Sequence, residues 1–278
     1  MRCRTSEQSQ LHKNLPRDIL ILHKRYIYGR TAQMNKQKFQ QACEKILHEK
    51  REKNGIGTLG EKTVHAVLKT YFDPTGQCHE TKVGRFVADI YKEDGIMEIQ
   101  TAGFNQLRKK LEAFLKIAPV TVVYPIPRKK WVAWIDKDTG EVTKKRKSPK
   151  QGQVYDILYE LYWIKQWLKH PHMRFCLVFM DVVEYRYLNG WSEDRKRGAS
   201  RYDRIPVEIV DEVWLNCPDD YRLLVPEVLN ETFTSKDFKK ETKLSLRVAR
   251  TALNVLHYIE AVKRVGKTGN SYLYERSV

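Results

Sequence analysis

Cysteine is scarce in this 278-residue chain: Cys3, Cys43, Cys78, Cys176 and Cys217 are the full set, and no two form a C-x-x-C pair. An odd number without paired spacing argues against a disulfide framework and against a zinc ribbon, and it fits a reducing cytoplasm. No apolar run approaches the ~18 residues of a membrane span, and the amino-terminal residues do not read as a signal peptide. Acidic residues are also few. Asp and Glu number 34 against 51 Lys and Arg, a net charge of +17 with a pI near 9.6. Such a surplus favours a polyanionic partner, and without a basic amphipathic membrane helix that partner is expected to be nucleic acid. His170-Pro171-His172 is expected to be a surface turn rather than a metal pair.

The chain does contain material for a core. Hydrophobic residues make up 41 % and aromatics 11 %, enough for one or two domains. Residues 1–33 show no sustained period and read as an extension or loose arm. A chain started at Met34 should therefore keep its melting temperature. Met34 opens an amphipathic run in which Phe39, Cys43, Ile46 and Leu47 recur at helical spacing. A second helix carries Val64, Val67, Leu68 and Tyr71 on one face, with Thr58 as N-cap and Asp73-Pro74 as stop. Short strands follow near 77–81, 84–92 and 96–100. After them come a helix (GFNQLRKKLEAFLKI), a buried strand (PVTVVYPI) and a basic hairpin with its turn at Asp138-Thr139-Gly140. An aromatic helix near 154–169 and a strand near 173–187 complete this part. The charged stretch NGWSEDRKRGASRYDR reads as a loop.

The most informative stretch is FVADIYKEDGIMEIQ, residues 86–100. Asp94-Gly95 between alternating runs is a hairpin signal. With those two as the turn, Tyr91 opposes Glu98 and Asp89 opposes Gln100, so Asp89, Glu98 and Gln100 share one sheet face. Two carboxylates held close repel each other, and a hard divalent cation relieves that repulsion. A solvent-facing acidic strand is the competing reading.

Asp89-x8-Glu98-x-Gln100, with its order of helix, three strands, helix and strand, resembles the PD-(D/E)xK nuclease superfamily over about residues 55–126. The resemblance implies a restriction-endonuclease-like α/β (α+β) core, with a mixed central sheet flanked by helices. It also implies Mg²⁺ (or Mn²⁺) held by Asp89, Glu98 and the backbone carbonyl of Ile99. Gln100 stands where the family usually has lysine; it would orient a water by hydrogen bonding, with Lys82 or Lys92 as substitute lysines. Glu61 is either the family's metal-linked glutamate on the first helix or the partner of Thr58 in a capping box.

From about Pro218 the pattern changes to three helices (DYRLLVPEVL, TSKDFKKETK and LSLRVARTALNVLHYIE) and a two-stranded wing, which resembles a winged helix-turn-helix. Arg247, Arg250, Thr251 and Asn254 fall on one face of the third helix and would meet bases. Lys263, Arg264 and Lys267 flank the wing turn and would meet phosphates. The runs Arg128-Lys129-Lys130, Lys144-Lys145-Arg146-Lys147 and Arg195-Lys196-Arg197 would track a backbone. The expected layout is a nuclease domain over 34–215 and a DNA-binding domain over 218–278, in a Mg²⁺-dependent endodeoxyribonuclease acting on DNA. The rival from another class is a non-enzymatic DNA-binding or regulatory protein on a degenerate nuclease scaffold; a third is a protein-docking adaptor. A homodimer or a protein partner remains open.

Overall fold

A computed structural model describes residues 34–53, 62–188 and 200–277, and Asn35 onward belongs to one compact unit. The chain folds as a mixed α/β structure in which a large mixed sheet is flanked by helices. Residues 1–33, Thr58, Glu61 and Arg195-Lys196-Arg197 lie outside the described residues. Among those described, no helix is long and apolar enough to cross a membrane.

Helix α1 spans Lys36–Lys53 and α2 spans Thr63–Phe72, ending as expected at Asp73. Three strands follow: β1 (His79–Val83), β2 (Phe86–Lys92) and β3 (Gly95–Ile99). A 3-10 turn at Phe104–Leu107 runs into α3 (Arg108–Phe114). Strand β4 then extends from Val120 to Ile135. It absorbs the first arm of the expected basic hairpin, whose return strand is the short β5 (Arg146–Lys147). The expected single aromatic helix is broken into a 3-10 turn, α4 (Ile157–Leu161) and a second 3-10 stretch (Tyr162–Trp167) with non-helical backbone at Ile164. Strand β6 covers Met173–Tyr187 and β7 covers Arg201–Leu215.

The sheet order is β1-β2-β3-β4-β6-β7, with β5 on β4. The central pairs β3·β4 and β4·β6 are parallel, and the outer pairs are antiparallel. Strand β7 contradicts the sequence expectation, which put Arg201–Arg204 in a loop and assigned no strand after it. Pro206 hides the strand in the sequence. It is tolerated because β7 is an edge strand, where a missing N–H need not break a ladder. Pro125 and Pro127 in β4 have a related cause. Gln100 N donates to Val123 O at 2.9 Å, so the odd-numbered residues of this stretch of β4 face β3. Beyond Val123, β3 has ended. The two prolines leave no donor unpaired there.

The two sheet faces bury different layers. Phe39 and Cys43 of α1 and Val67 and Leu68 of α2 are buried on one side, and the Phe39 and Tyr71 rings meet edge to face at 5.6 Å. On the other side Leu111 and Phe114 of α3, Leu158 and Leu161 of α4, and Phe175 and Leu177 of β6 form one apolar cluster. That cluster continues into the carboxy-terminal elements through Tyr221, Phe233, Phe238, Leu253 and Leu256. The elements themselves are β8 (Thr232–Thr234), α5 (Ser235–Thr242), α6 (Leu246–Tyr258), β9 (Val262–Thr268) and β10 (Ser271–Arg276), with sheet order β8-β10-β9. The first of the three expected helices here is instead a 3-10 turn, Pro218–Leu224. Thr234 caps α5 in a reciprocal pair with Asp237, and Ser245 caps α6.

Candidate functional site

The β2–β3 ladder pairs Lys92 with Gly95, Tyr91 with Ile96 and Ile90 with Met97. The turn is therefore Glu93-Asp94, and Gly95 already belongs to β3. This corrects the expected register by two residues. Gly95 explains the shift: its φ is +132°, and a Cβ there would collide with the carbonyl oxygen of Pro119. Only glycine fits where β3 meets the start of β4. A shift of two preserves side-chain parity, so Asp89 and Glu98 still face each other, now directly.

At this pair the ladder ends and side chains replace it. Asp89 Oδ2 accepts the Ile99 backbone N–H at 2.7 Å, and Glu98 Oε1 accepts the Asp89 N–H at 3.2 Å. The strands fork here, and each carboxylate satisfies the backbone of the opposite strand. The Ile99 N–H points into the fork, and strand geometry turns the carbonyl of the same residue the same way. Two helices approach the fork. His65 of α2 lies 3.0 Å from Asp89 Oδ2 through its Nε2, and Lys110 of α3 donates to Glu98 Oε2 at 2.8 Å.

These neighbours drive the two acids apart. Burial alone would push Asp89 up, but the His65 hydrogen bond and charge, the Ile99 N–H and Lys110 hold it below the usual carboxylate value. Glu98 is 2 % exposed. Burial, then the Asp89 charge, push it up to about 7, with Lys110 offsetting only part of this. Between about 4.5 and about 7 the fold keeps Glu98 protonated while the unfolded chain has already ionised it. The unfolded state binds fewer protons in that window, so stability should fall as pH rises through it, by on the order of 3 kcal/mol. Urea melts from pH 4.5 to 8 check this. The slope should be shallower in Glu98→Gln.

The other sequence candidates are placed as follows. Gln100 follows β3, and its Nε2 donates to Ala102 O at 2.5 Å, so the amide is turned along the next loop. Lys92 donates to Phe72 O at 2.7 Å, and Lys82 is exposed on β1. The lysine that reaches the acids is Lys110, which the sequence reading did not select, and His65 was likewise missed. Among the described residues no group of three or more His, Cys, Asp or Glu side chains is placed to hold a metal ion. A cation here would rest on two carboxylates and a carbonyl. That donor set suits Mg²⁺, which usually keeps several waters.

In the carboxy-terminal unit Arg247 and Arg250 are exposed on α6, and Lys263, Arg264 and Lys267 are exposed along β9. Thr251 returns its hydroxyl to Arg247 O at 3.1 Å. Asn254 Oδ1 accepts from Lys165 Nζ at 3.0 Å, which ties that part of α6 to the 3-10 stretch of the sheet layer. Arg264 lies over the Tyr272 ring at 4.4 Å.

A family model described as a domain of unknown function (DUF8091) matches residues 62–216, and the chain belongs to that family. An uncharacterized protein of Treponema pallidum (strain Nichols) is 32 % identical over 152 residues, covering 54 % of this chain and 57 % of the relative. The chain thus spans little more than half the length of that relative. No solved structure matches it.

Proposed function

We propose that this member of the family is a Mg²⁺- or Mn²⁺-dependent endodeoxyribonuclease with a PD-(D/E)xK-like centre and a carboxy-terminal winged helix that binds DNA. One observation carries the reading. Asp89 and Glu98 converge at a strand fork where mutual charge and burial make a bound cation favourable. Asp89, Glu98 and the Ile99 carbonyl would hold the ion. When bound, such an ion polarises a phosphodiester oxygen and makes a water more acidic. The chain's own part is to hold the carboxylates in place through His65 and Lys110. Lys110, released from Glu98, is a cation within reach of a phosphate. A plasmid cleavage assay with Mg²⁺, Mn²⁺ or EDTA tests the reading: nicking with metal and none with EDTA is expected, and no cleavage under either metal rejects it.

A second reading is a non-enzymatic DNA-binding or regulatory protein on the same scaffold. The engagement of Gln100 with Ala102 favours it, because the residue in the usual lysine position then faces away from the acids.

Both readings place DNA on the exposed cations of α6 and β9. Arg250→Ala should weaken binding to a preferred site by about 1–3 kcal/mol if it contacts a base. Lys267→Ala should lower affinity evenly across sequences and reduce the salt slope by about one. Fluorescence anisotropy across a salt series measures both. Affinity indifferent to salt would point instead to a protein-docking adaptor.

A further inference from the structure

The distal halves of β4, β6 and β7 run past the end of β3, and their inner surface carries a charge imbalance. Glu184 of β6 has a side chain only 1 % exposed. Its Oε1 accepts from Arg186 Nε at 2.7 Å, and its Oε2 accepts from Arg204 Nε at 2.7 Å. Lys130 Nζ lies 3.5 Å from Oε2. Glu184 is paired with Arg204 across the sheet on one side and with Val132, near Lys130, on the other. Three cations therefore converge on one carboxylate, which leaves an excess of two positive charges. One cation would balance the charge of the carboxylate; the extra two repel each other and Arg204, a cost that solvent or a bound anion relieves. The side chains of Lys130, Arg186 and Arg204 are 19 %, 36 % and 27 % exposed, so their charged heads remain partly open to solvent.

The location gives the excess charge a use. Arg204 also lines a pocket with Lys62, Val64, Thr101, Met180 and Val182. Val64 precedes His65 in α2, and Thr101 follows β3, so two of the pocket-lining residues belong to segments that also lead to the fork of Asp89 and Glu98. The carboxylate of Asp203 in the same pocket is engaged by the backbone N–H and hydroxyl of Thr63 and by the Arg204 N–H.

We infer that Lys130, Arg186 and Arg204, oriented by Glu184, form a phosphate-binding subsite on the distal part of the sheet, eight residues along β6 from the level of the Asp89–Glu98 fork. Glu184 is a positioning residue, fixing two guanidinium planes and leaving their outer N–H groups and the Lys130 ammonium for phosphate oxygens. The phosphate is that of a nucleic-acid strand passing from the pocket toward the fork, or a free phosphate ion; both offer the same tetrahedral oxygens. The strand path rests on the proposed nuclease reading, but phosphate affinity does not.

The test uses the full chain in EDTA, so that it is independent of any metal at the fork. Inorganic phosphate is titrated by calorimetry, and a labelled 12-nucleotide DNA strand by anisotropy, into wild type, Lys130→Met and Arg186→Gln, with thermal melts verifying folding. Wild type should bind phosphate, and each variant should lose at least about five-fold in affinity for both probes, with a salt slope for the strand lower by about one. Phosphate binding weakened while strand affinity is unchanged would support the subsite and assign the free ion as its ligand. Equal affinity of wild type and both folded variants for phosphate and for the strand would overturn the inference and leave a structural ion cluster. The phosphate arm does not involve the DNA-binding helix, and neither arm requires cleavage. A nuclease-negative protein with an intact subsite would therefore be recognised as such.

Discussion

Asp89→Asn and Glu98→Gln are each expected to reduce metal-dependent DNA cleavage to background. Both changes keep the shape of the side chain and remove its charge. A single remaining carboxylate leaves Mg²⁺ short of anionic ligands, so neither acid should substitute for the other. Their effects on the metal-free fold should differ. Glu98 is charged against its environment above pH 7, where burial and Asp89 both oppose ionisation. Glu98→Gln should therefore be as stable as wild type at pH 8, or more stable. Asp89 is held ionised by His65 and the Ile99 N–H, so Asp89→Asn should lose some stability. DNA binding through α6 and β9 should persist in both. Plasmid cleavage, urea melts and anisotropy on the same preparations separate these outcomes. Cleavage that survives either change would place the chemistry elsewhere.

Glu184→Gln is expected to cost about 3 kcal/mol at neutral pH. The substitution leaves Lys130, Arg186 and Arg204 facing one another without a counter-charge. The partial exposure of all three lets water return, which keeps the loss toward the lower end of what a broken buried pair costs. Wild type should show the same contribution as a pH dependence. Burial opposes ionisation of Glu184, but the hydrogen bonds and charges of Arg204, Arg186 and Lys130 overcome it and hold the pKa near 2. Its folded value lies below its unfolded one. The stabilisation is therefore present above about 4.5 and lost as pH falls toward about 2. Denaturant melts of both proteins at pH 7 and pH 3 check this: the gap between them should narrow at pH 3. Added phosphate should stabilise wild type.

Which features were legible in the sequence follows from local chemistry. Parity along β2 and β3 put Asp89 opposite the acidic face of the next strand, because side chains alternate whatever the turn. The register was not legible, because it depends on Gly95 packing against Pro119, a contact between strands 24 residues apart in numbering. The helices α5 and α6 were legible in the sequence, and the structure shows each begun by a local cap, Thr234 and Ser245. Strand β7 was hidden by Pro206, which its edge position and the adjacent bulge tolerate. Lys110 lies in a run of basic residues on a short helix, and nothing in its spacing marks it as the lysine that reaches Glu98. His65 sits beside the apolar stripe of α2, where its partner on β2 is invisible until the sheet is assembled. The charge surplus was plain from composition, but the convergence of three cations on Glu184 requires the pairing of β4, β6 and β7.

Joint binding of one divalent cation by Asp89 and Glu98 is decided by calorimetric titration of Mn²⁺ or Mg²⁺ into wild type and Glu98→Gln at pH 8. Repeating the wild-type titration at pH 6 in buffers of different ionisation enthalpy adds a proton count. One site is expected in wild type, with its loss in Glu98→Gln and with release at pH 6 of the proton that burial and Asp89 keep on Glu98. Equal weak binding by both proteins, with no proton released, would contradict it.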